Sequence, residues 1–495
     1  MKLLDLKIEK YKNLSNFHWE ITEDNASPAL LLMGKNASGK TNVLEAMIQI
    51  FDFLIHSQSK KAPFKFSITY VLEVTTINIK CNKNEALEGV SIDEVFVPVS
   101  EIRRVNNTFR APNHTDLESL LPENIILYYS GFSGRFNTVS NKFKQEYSKL
   151  FRRQKAVALP PIIALEPIHY QMILLALFSF SNDAPIYEDF FKKYFNITAL
   201  DSFEIHIKKH TGWIKDHTFE NFFDTDGIVR NFIEKIHLVQ LDEDAEGLPV
   251  LHRSTKYNER INWITYKFKG NNALLKLKEI FGYEDDIFKL LNILHTTKNL
   301  AGITLKVKKE NIDVSIPFNG LSEGEQQFLA IKGMIYLLQG KNSLFLWDEP
   351  DTYLNPSWQW DLIPDLEINN TQYAEEDYAE EDYFQGAIQR DQFILTTHSP
   401  VLLSTVKKQA YYIDKGTISS IKNTYGLTVD ESLIKQNITP RIEEVDNALK
   451  TYLELIATGQ SQSEEALQLR AKLEQTMGAN HQELQRANVL INFYE

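Results

Sequence analysis

Lysine alternates with leucine and isoleucine along Lys2–Tyr11, the period-two pattern of a half-buried strand. Phe17–Ile21, Ser67–Val74 and Thr76–Lys80 read as further strands. Ala29–Met33 is a short unbroken apolar run, as in a strand covered on both faces, and Ser343–Trp347, Phe393–Thr397 and Ile125–Tyr129 are of the same kind. Helical spacing takes over in Asn42–Phe53, Pro167–Phe180, Asp285–Thr297 and the stretch ending near Leu338. Phe203–Lys209, Ile261–Phe268, Gly302–Lys309 and Ile312–Ile316 are predicted strands, Tyr411–Gly416 a terminal hairpin, and Phe96–Asn124 an irregular excursion. Near the C-terminus Ile442, Val445, Leu449, Leu453 and Ile456 recur at three-to-four spacing. Ala466, Leu469, Leu473 and Met477, and then Leu484, Ala487 and Leu490, continue that pattern in two further helices.

These patterns divide the chain into a first lobe at 1–135, an inserted module at 136–300, a second lobe at 301–425 and a helical tail at 426–495. The insert shows no sustained heptad pattern and therefore no coiled-coil arm. A loop is expected from Ile368 to Arg390, carrying the acidic block Glu375, Glu376, Asp377, Glu380, Glu381 and Asp382. The tail helices either pack on the second lobe or offer their apolar stripes to a partner or a second copy.

With 495 residues, of which 43% are hydrophobic, the chain can build substantial cores. No apolar run is long enough to span a bilayer, no membrane association is expected, and Met1–Tyr11 lacks the apolar block of a signal peptide. The single cysteine, Cys81, can form neither an internal disulfide nor a cysteine-based zinc site, so a cytoplasmic location is expected. A net charge of -13 argues against indiscriminate coating of nucleic acid. One basic run stands out, with Lys142, Lys144, Lys149, Arg152, Arg153 and Lys155 interleaved with Tyr147 and Phe151. It is either a solvated helix or a contact for a DNA or RNA backbone.

Between the strand Ala29–Met33 and its following helix stands Gly34-Lys35-Asn36-Ala37-Ser38-Gly39-Lys40-Thr41, a full eight-position phosphate loop. Backbone N–H groups from Gly34, Asn36, Ser38 and Gly39 are suited to wrap phosphates, and the helix turns its positive end toward them. Lys40 is placed for the β- and γ-phosphates of ATP, and Thr41 offers its hydroxyl to Mg²⁺. Ser343–Trp347 ends in the paired carboxylates Asp348 and Glu349, the first suited to hold magnesium and the second to polarise an attacking water. Leu321-Ser322-Glu323-Gly324-Glu325-Gln326-Gln327 opens a helix. Ser322 with Glu325 satisfies a capping box there, and the turn also offers an anion site.

Leu321–Gln327 resembles the signature motif of ABC-type ATPases of the RecF and SMC branch. Asp351–Pro356 resembles the segment lining their dimer interface, and Phe393–Pro400 resembles their switch strand with its histidine, His398. The resemblance implies an α/β fold: a bilobed P-loop ATPase head, here with a compact mixed insertion and a C-terminal helical tail. It also implies a head-to-tail pair in which Ser322, Gly324 and Glu325 of one copy close over the nucleotide of the other. His398 would then sit beside Glu349, as a catalytic residue that either senses the γ-phosphate or steadies the attacking water. A glutamine that the family places after a first-lobe strand is missing, and Ser130, after Ile125–Tyr129, occupies the best-matching position.

At a finer level Tyr128–Gly131, Thr424–Gly426 and His481–Ala487 resemble the ATPase subunit of Septu-type anti-phage systems, including retron-associated forms. That resemblance implies an ATPase that scaffolds and controls a separate HNH nuclease acting on nucleic acid. The alternatives are a RecF-like DNA repair ATPase recognising ends or gaps, and a translation-associated ABC protein. The largely helical tail is too short for the Toprim nuclease of the related OLD proteins, so no nuclease centre of its own is expected.

Overall fold

A computed structural model describes residues 1–22, 27–56, 60–99, 119–131, 136, 141–142, 144–145, 161–181, 185–209, 227–240, 250–253, 262–338, 340–376, 391–436 and 438–494. Two compact units emerge, Met1–Tyr425 and Gly426–Glu495. In chain order the first begins with β1 (Lys2–Tyr11), β2 (Leu14–Glu20), β3 (Ala29–Met33), α1 (Lys40–Ile55), β4 (Phe66–Leu72), β5 (Thr75–Cys81), β6 (Gly89–Ile92), β7 (Val95–Pro98) and β8 (Ile125–Tyr129). It continues through β9 (Ile162–Ala164), α2 (Pro167–Phe180), α3 (Pro185–Phe195), β10 (Ile197–Lys209), α4 (Gly227–Gln240), β11 (Val250–Arg253), β12 (Asn262–Lys269), α5 (Gly270–Phe281) and α6 (Glu284–Thr296). It closes with β13 (Leu300–Lys309), β14 (Ile316–Pro317), α7 (Glu323–Leu338), β15 (Leu344–Asp348), α8 (Pro356–Glu376), β16 (Gln392–Thr397), α9 (Pro400–Thr405), β17 (Ala410–Asp414) and β18 (Thr417–Ile421).

The centre is a seven-stranded sheet in the order β18-β17-β3-β16-β15-β8-β9, parallel except for β18. Its inner strands are buried at every position, which is why they read as unbroken apolar runs. Successive side chains nevertheless serve two different cores. Leu31, Met33, Phe345 and Trp347 enter one with α2, α3 and α7, while Leu30, Leu32, Leu344 and Leu346 enter the other with α1 and β1–β5. A six-stranded antiparallel sheet, β2-β1-β4-β5-β6-β7, covers α1 on that second side. This is the mixed α/β, bilobed P-loop core that the motifs imply, with an inserted subdomain and a helical tail.

The insertion is more deeply built in than a separate module. β9 extends the central sheet beside β8, and β10 pairs along its length with β13 in a five-stranded sheet, β11-β12-β10-β13-β14. Three expectations change. The loop expected from Ile368 is helical as far as Glu376, the end of α8, a helix started by Asn355, whose Oδ1 accepts from Trp358 N at 3.0 Å, with Pro356 at the first helical position. The strand expected at Ile312–Ile316 shrinks to the two-residue β14. Part of the Phe96–Asn124 excursion is strand, since Phe96 pairs with Ser91 across the β6–β7 hairpin; 101–118 lie outside the described residues. The acidic block at 377–382 also lies outside them.

The second unit holds α10 (Val429–Lys435), α11 (Glu443–Ala457), α12 (Glu464–Met477) and α13 (Gln482–Tyr494). Leu449, Tyr452, Ile456, Ala466, Leu473, Leu484 and Ala487 form its own small core. Among the described residues no helix is long and apolar enough to cross a membrane.

Candidate functional site

Parallel register does most of the assembly. Met33 lies opposite Thr397, Thr396 opposite Asp348, and Asp348 opposite Tyr129. The residues that leave these strands therefore emerge side by side along the carboxyl edge of the sheet: Gly34, His398, Glu349 and Ser130. This is where an open α/β sheet forms its ligand crevice.

The phosphate loop is held in a form that side chains rarely adopt. Gly34 has φ 151°, and a Cβ there would come 2.3 Å from Ile413 O; Ala37 and Gly39 have φ 62° and 120°. Two turns clamp the loop, Asn13 Nδ2 donating to Ala37 O at 3.1 Å and Gly416 N donating to Ser38 O at 3.1 Å. Lys40 is buried; its ammonium donates to Gly34 O at 2.9 Å and lies 2.7 Å from His398 Nε2. Burial lowers its pKa, opposed by Glu349, Asp348 and Asp351.

Across from it, Thr41 Oγ1 donates to the Asp348 carboxylate at 2.8 Å (Oδ2), and Thr396 Oγ1 donates to the same group. Burial raises the Asp348 pKa, against the pull of those hydroxyls. Glu349 turns into the left-handed region at φ 53°, pinned by its N–H to Thr396 O at 3.1 Å. Its carboxylate lies 3.3 Å from His398 Nε2, and that hydrogen bond, more than any other influence, lowers the Glu349 pKa. Lysine and carboxylate thus meet at one imidazole nitrogen, which either accepts from Lys40 or donates to Glu349. Asp351 is buried, its carboxyl pushed up to about 6 by burial, and its Oδ1 has no hydrogen-bond partner.

Ser130 takes part through its neighbours. Its N–H donates to Asp348 O at 3.3 Å, and its hydroxyl lies 3.1 Å from that of Thr352, which donates to Glu349 O at 3.0 Å. The signature turn forms another group. Ser322 and Glu325 make the reciprocal cap, Ser322 N to Glu325 Oε2 at 2.8 Å and Glu325 N to Ser322 Oγ at 3.2 Å. Gly324 leaves room for Tyr353 O, which a Cβ would meet at 2.6 Å. Gln327 Nε2 reaches Pro350 O at 3.1 Å, so α7 is joined directly to the segment after Glu349.

Two residues singled out in the sequence have partners within the chain. Glu325 accepts from Ser322 and forms an ion pair with Lys309, and so shapes the turn. Lys144 is partly buried against Glu166 and His295. Lys142 pairs with Asp52 at 3.3 Å, and Lys149, Arg152, Arg153 and Lys155 lie outside the described residues. Sequence reasoning missed Asn13 and Thr396. Asn13 sits in the β1–β2 turn, far from any motif, and Thr396 has the character of an ordinary strand residue; only strand register reveals its role.

The donor set fits a phosphorylated nucleotide with a hard divalent cation. Ser38 Oγ is buried without a partner beside the loop's N–H groups, Lys40 is a buried cation, and the Thr41–Asp348 pair offers hard oxygens.

Residues 30–404, well over half of the chain, match the family described as "AAA domain, putative AbiEii toxin, Type IV TA system". The chain is 27% identical over 224 residues to "Retron Ec83 probable ATPase" of Escherichia coli; the match takes in 42% of this chain and only 38% of that relative's length. It is 21% identical to "Retron Vc95 probable ATPase" of Vibrio cholerae serotype O1 biovar El Tor, over 93% of this chain and 84% of the relative. Among solved structures, the recombination mediator RecF of the RecFOR pathway aligns over 85% of this chain and 98% of its own, with 12% identity and a TM-score of 0.32. The Smc head domain of Pyrococcus furiosus bound to the C-terminal domain of ScpA aligns over 88% and 98%, with 11% identity and a TM-score of 0.33. The chain belongs to the family described as "AAA domain, putative AbiEii toxin, Type IV TA system" and is similar along its sequence to two retron-associated probable ATPases.

Proposed function

We propose that the protein is an ATP-hydrolysing switch whose two nucleotide sites are completed by a head-to-tail pair of copies. The observation that carries the reading is the convergence of Lys40, Thr41, Asp348, Glu349 and His398 at the carboxyl edge of three neighbouring strands. The phosphate loop and Lys40 bind the β- and γ-phosphates. Thr41 and Asp348 hold Mg²⁺, which when bound neutralises phosphate charge. Glu349 is kept ionised by His398 and Lys40, as a base must be to take a proton from an attacking water. His398, between Lys40 and Glu349, is placed to report an intact γ-phosphate. Ser322 and Gly324, on an exposed turn of α7, serve the nucleotide of the second copy, and Ser130 links the site to the rest of the first lobe.

Glu349→Gln tests this. It should bind ATP normally and retain it, with turnover reduced at least about 100-fold, and accumulate as the closed pair. Lys40→Ala should bind no ATP in calorimetry while keeping its fold. Normal turnover in the glutamine variant would remove Glu349 from the chemistry.

The ATPase is proposed to act on nucleic acid without a nuclease centre of its own, in the manner of RecF-like repair ATPases. The order of motifs supports this, as do the retron ATPases, one of which matches along nearly the whole chain. A narrower reading, a defence complex in which the ATPase controls a separate HNH nuclease docked on the tail helices, rests on the sequence resemblance to Septu ATPases alone. Purification at native expression, with mass spectrometry of stoichiometric companions, separates the two. A companion nuclease supports the narrower reading, and selective binding of DNA ends by the protein alone supports the broader one.

A further inference from the structure

Beside the nucleotide site lies another cavity, of about 420 Å³, bounded by the end of β8, the start of α2, the first turns of α7 and Tyr353. Its size suits a nucleoside-sized ligand. Four tyrosines line it: Tyr128, Tyr129, Tyr170 and Tyr353, from fully buried Tyr128 to half-exposed Tyr353. Such walls stack against planar rings.

The polar lining narrows the ligand class. Glu166 borders the cavity, but its carboxylate is already satisfied by Lys144 and by His295 at 3.0 Å, so it offers no free charge to a cation. Glu323 also belongs to the lining but is exposed at the first turn of α7, whereas the uncommitted deep group is neutral. Gln327 is 3% exposed and donates its Nε2 to Pro350 O, while its Oε1 is buried with no partner at normal hydrogen-bond distance. A carboxamide oxygen without a partner, with the Tyr128 hydroxyl beside the same side chain, suits a planar ligand with an N–H edge.

We propose that this cavity binds a nucleobase, from a free nucleoside or from an unstacked residue of a single strand, as an effector of the ATPase. The route to the site is short. Ser130 lines the cavity and is joined through Thr352 to Glu349 O, and Tyr353 O packs against Gly324 of the signature turn. The effector role rests on the ATPase reading above; binding itself does not.

The test is calorimetry of the full-length protein with adenosine, guanosine, cytidine and uridine, and with a single strand of about twelve nucleotides and its blunt duplex. Saturable binding of a nucleoside is expected, weakened at least about tenfold by Tyr170→Ala and by Gln327→Leu and retained in Tyr170→Phe, with ATP affinity unchanged in the Tyr170 variants. Tighter binding of the single strand than of any nucleoside identifies nucleic acid as the source; nucleoside binding alone identifies a free metabolite. Saturating ligand should change ATP turnover about fivefold or more in the wild type and not in Tyr170→Ala. The proposal falls if no nucleoside or strand binds, if the duplex binds as well as the single strand, if Tyr170→Ala binds normally, or if choline binds in place of every base. Binding without any change in turnover overturns the effector role. A wild type that hydrolyses no ATP overturns the functional reading, and calorimetry still decides the cavity.

Discussion

Glu349 and His398 show how little a residue's identity says before its neighbours are known. Either could be a surface group; 3.3 Å apart, and with Lys40 at the same imidazole nitrogen, they form one cluster. His169 is a different case. It is buried, accepts from Glu166 N at 2.8 Å through Nδ1, and its Nε2 lies 3.1 Å from Asn292 Oδ1, so the ring is held neutral. Burial, helped by nearby His295, pushes its pKa down to about 4 from an ordinary 6.5. Below pH 6.5 the unfolded chain takes up a proton that the native state refuses, so stability falls as pH drops from 6.5 toward 4, by roughly 3 kcal/mol at most. Melting temperatures of the wild type and His169→Gln between pH 7 and 4.5 check this. The variant should show the flatter slope, and an equal slope would assign the acid loss to other groups.

Helix α7 carries both the signature turn and much of the packing against α2. Gly333 is the point of closest approach, where a Cβ would stand 2.3 Å from Ile173 Cγ2. Gly333→Ala gains about 1 kcal/mol of helix propensity but forces the helices apart, at a cost of about 1–3 kcal/mol. We expect a net loss seen as a lower urea midpoint with an unchanged slope; a higher midpoint would show that Ile173 can move aside. On its other side α7 buries Lys332 against Asp365 of α8, a pairing that fixes the alignment of the two helices. Period and capping made the main elements readable, from β3 and α1 to β15 and α7. The missed elements are instructive: α3 and α5 lie in the insert, where short amphipathic helices alternate with strands and no motif marks the register.

At the scale of the molecule, the proposed pair depends on the exposed turn at Ser322 meeting the phosphate loop of a second copy. Ser322→Arg should leave ATP affinity of the single chain within about twofold and abolish nucleotide-dependent dimerisation in light scattering, because a guanidinium fills the place of the small hydroxyl and the desolvated interface rejects it. Dimerisation as in the wild type would place the interface elsewhere. The tail forms its own core from α11, α12 and α13, which explains why its apolar spacing was legible while its role was not. A stripe of apolar residues records that something is covered; Leu449 and Leu473 turn out to be covered by each other's helices.

What was legible in the sequence alone was a set of local motifs. The phosphate loop, the paired carboxylates, the signature turn and the switch histidine are local patterns, and a local pattern needs only its own backbone. The tertiary structure decided what depends on register and burial. It placed Thr396 on Asp348 and Asn13 against the phosphate loop, tied Glu325 to Lys309 and drew Lys144 inward. It also left a Gln327 oxygen without a partner in an aromatic cavity. Each of these is a contact between residues far apart in the chain, fixed by strand pairing and packing that no short window of sequence encodes.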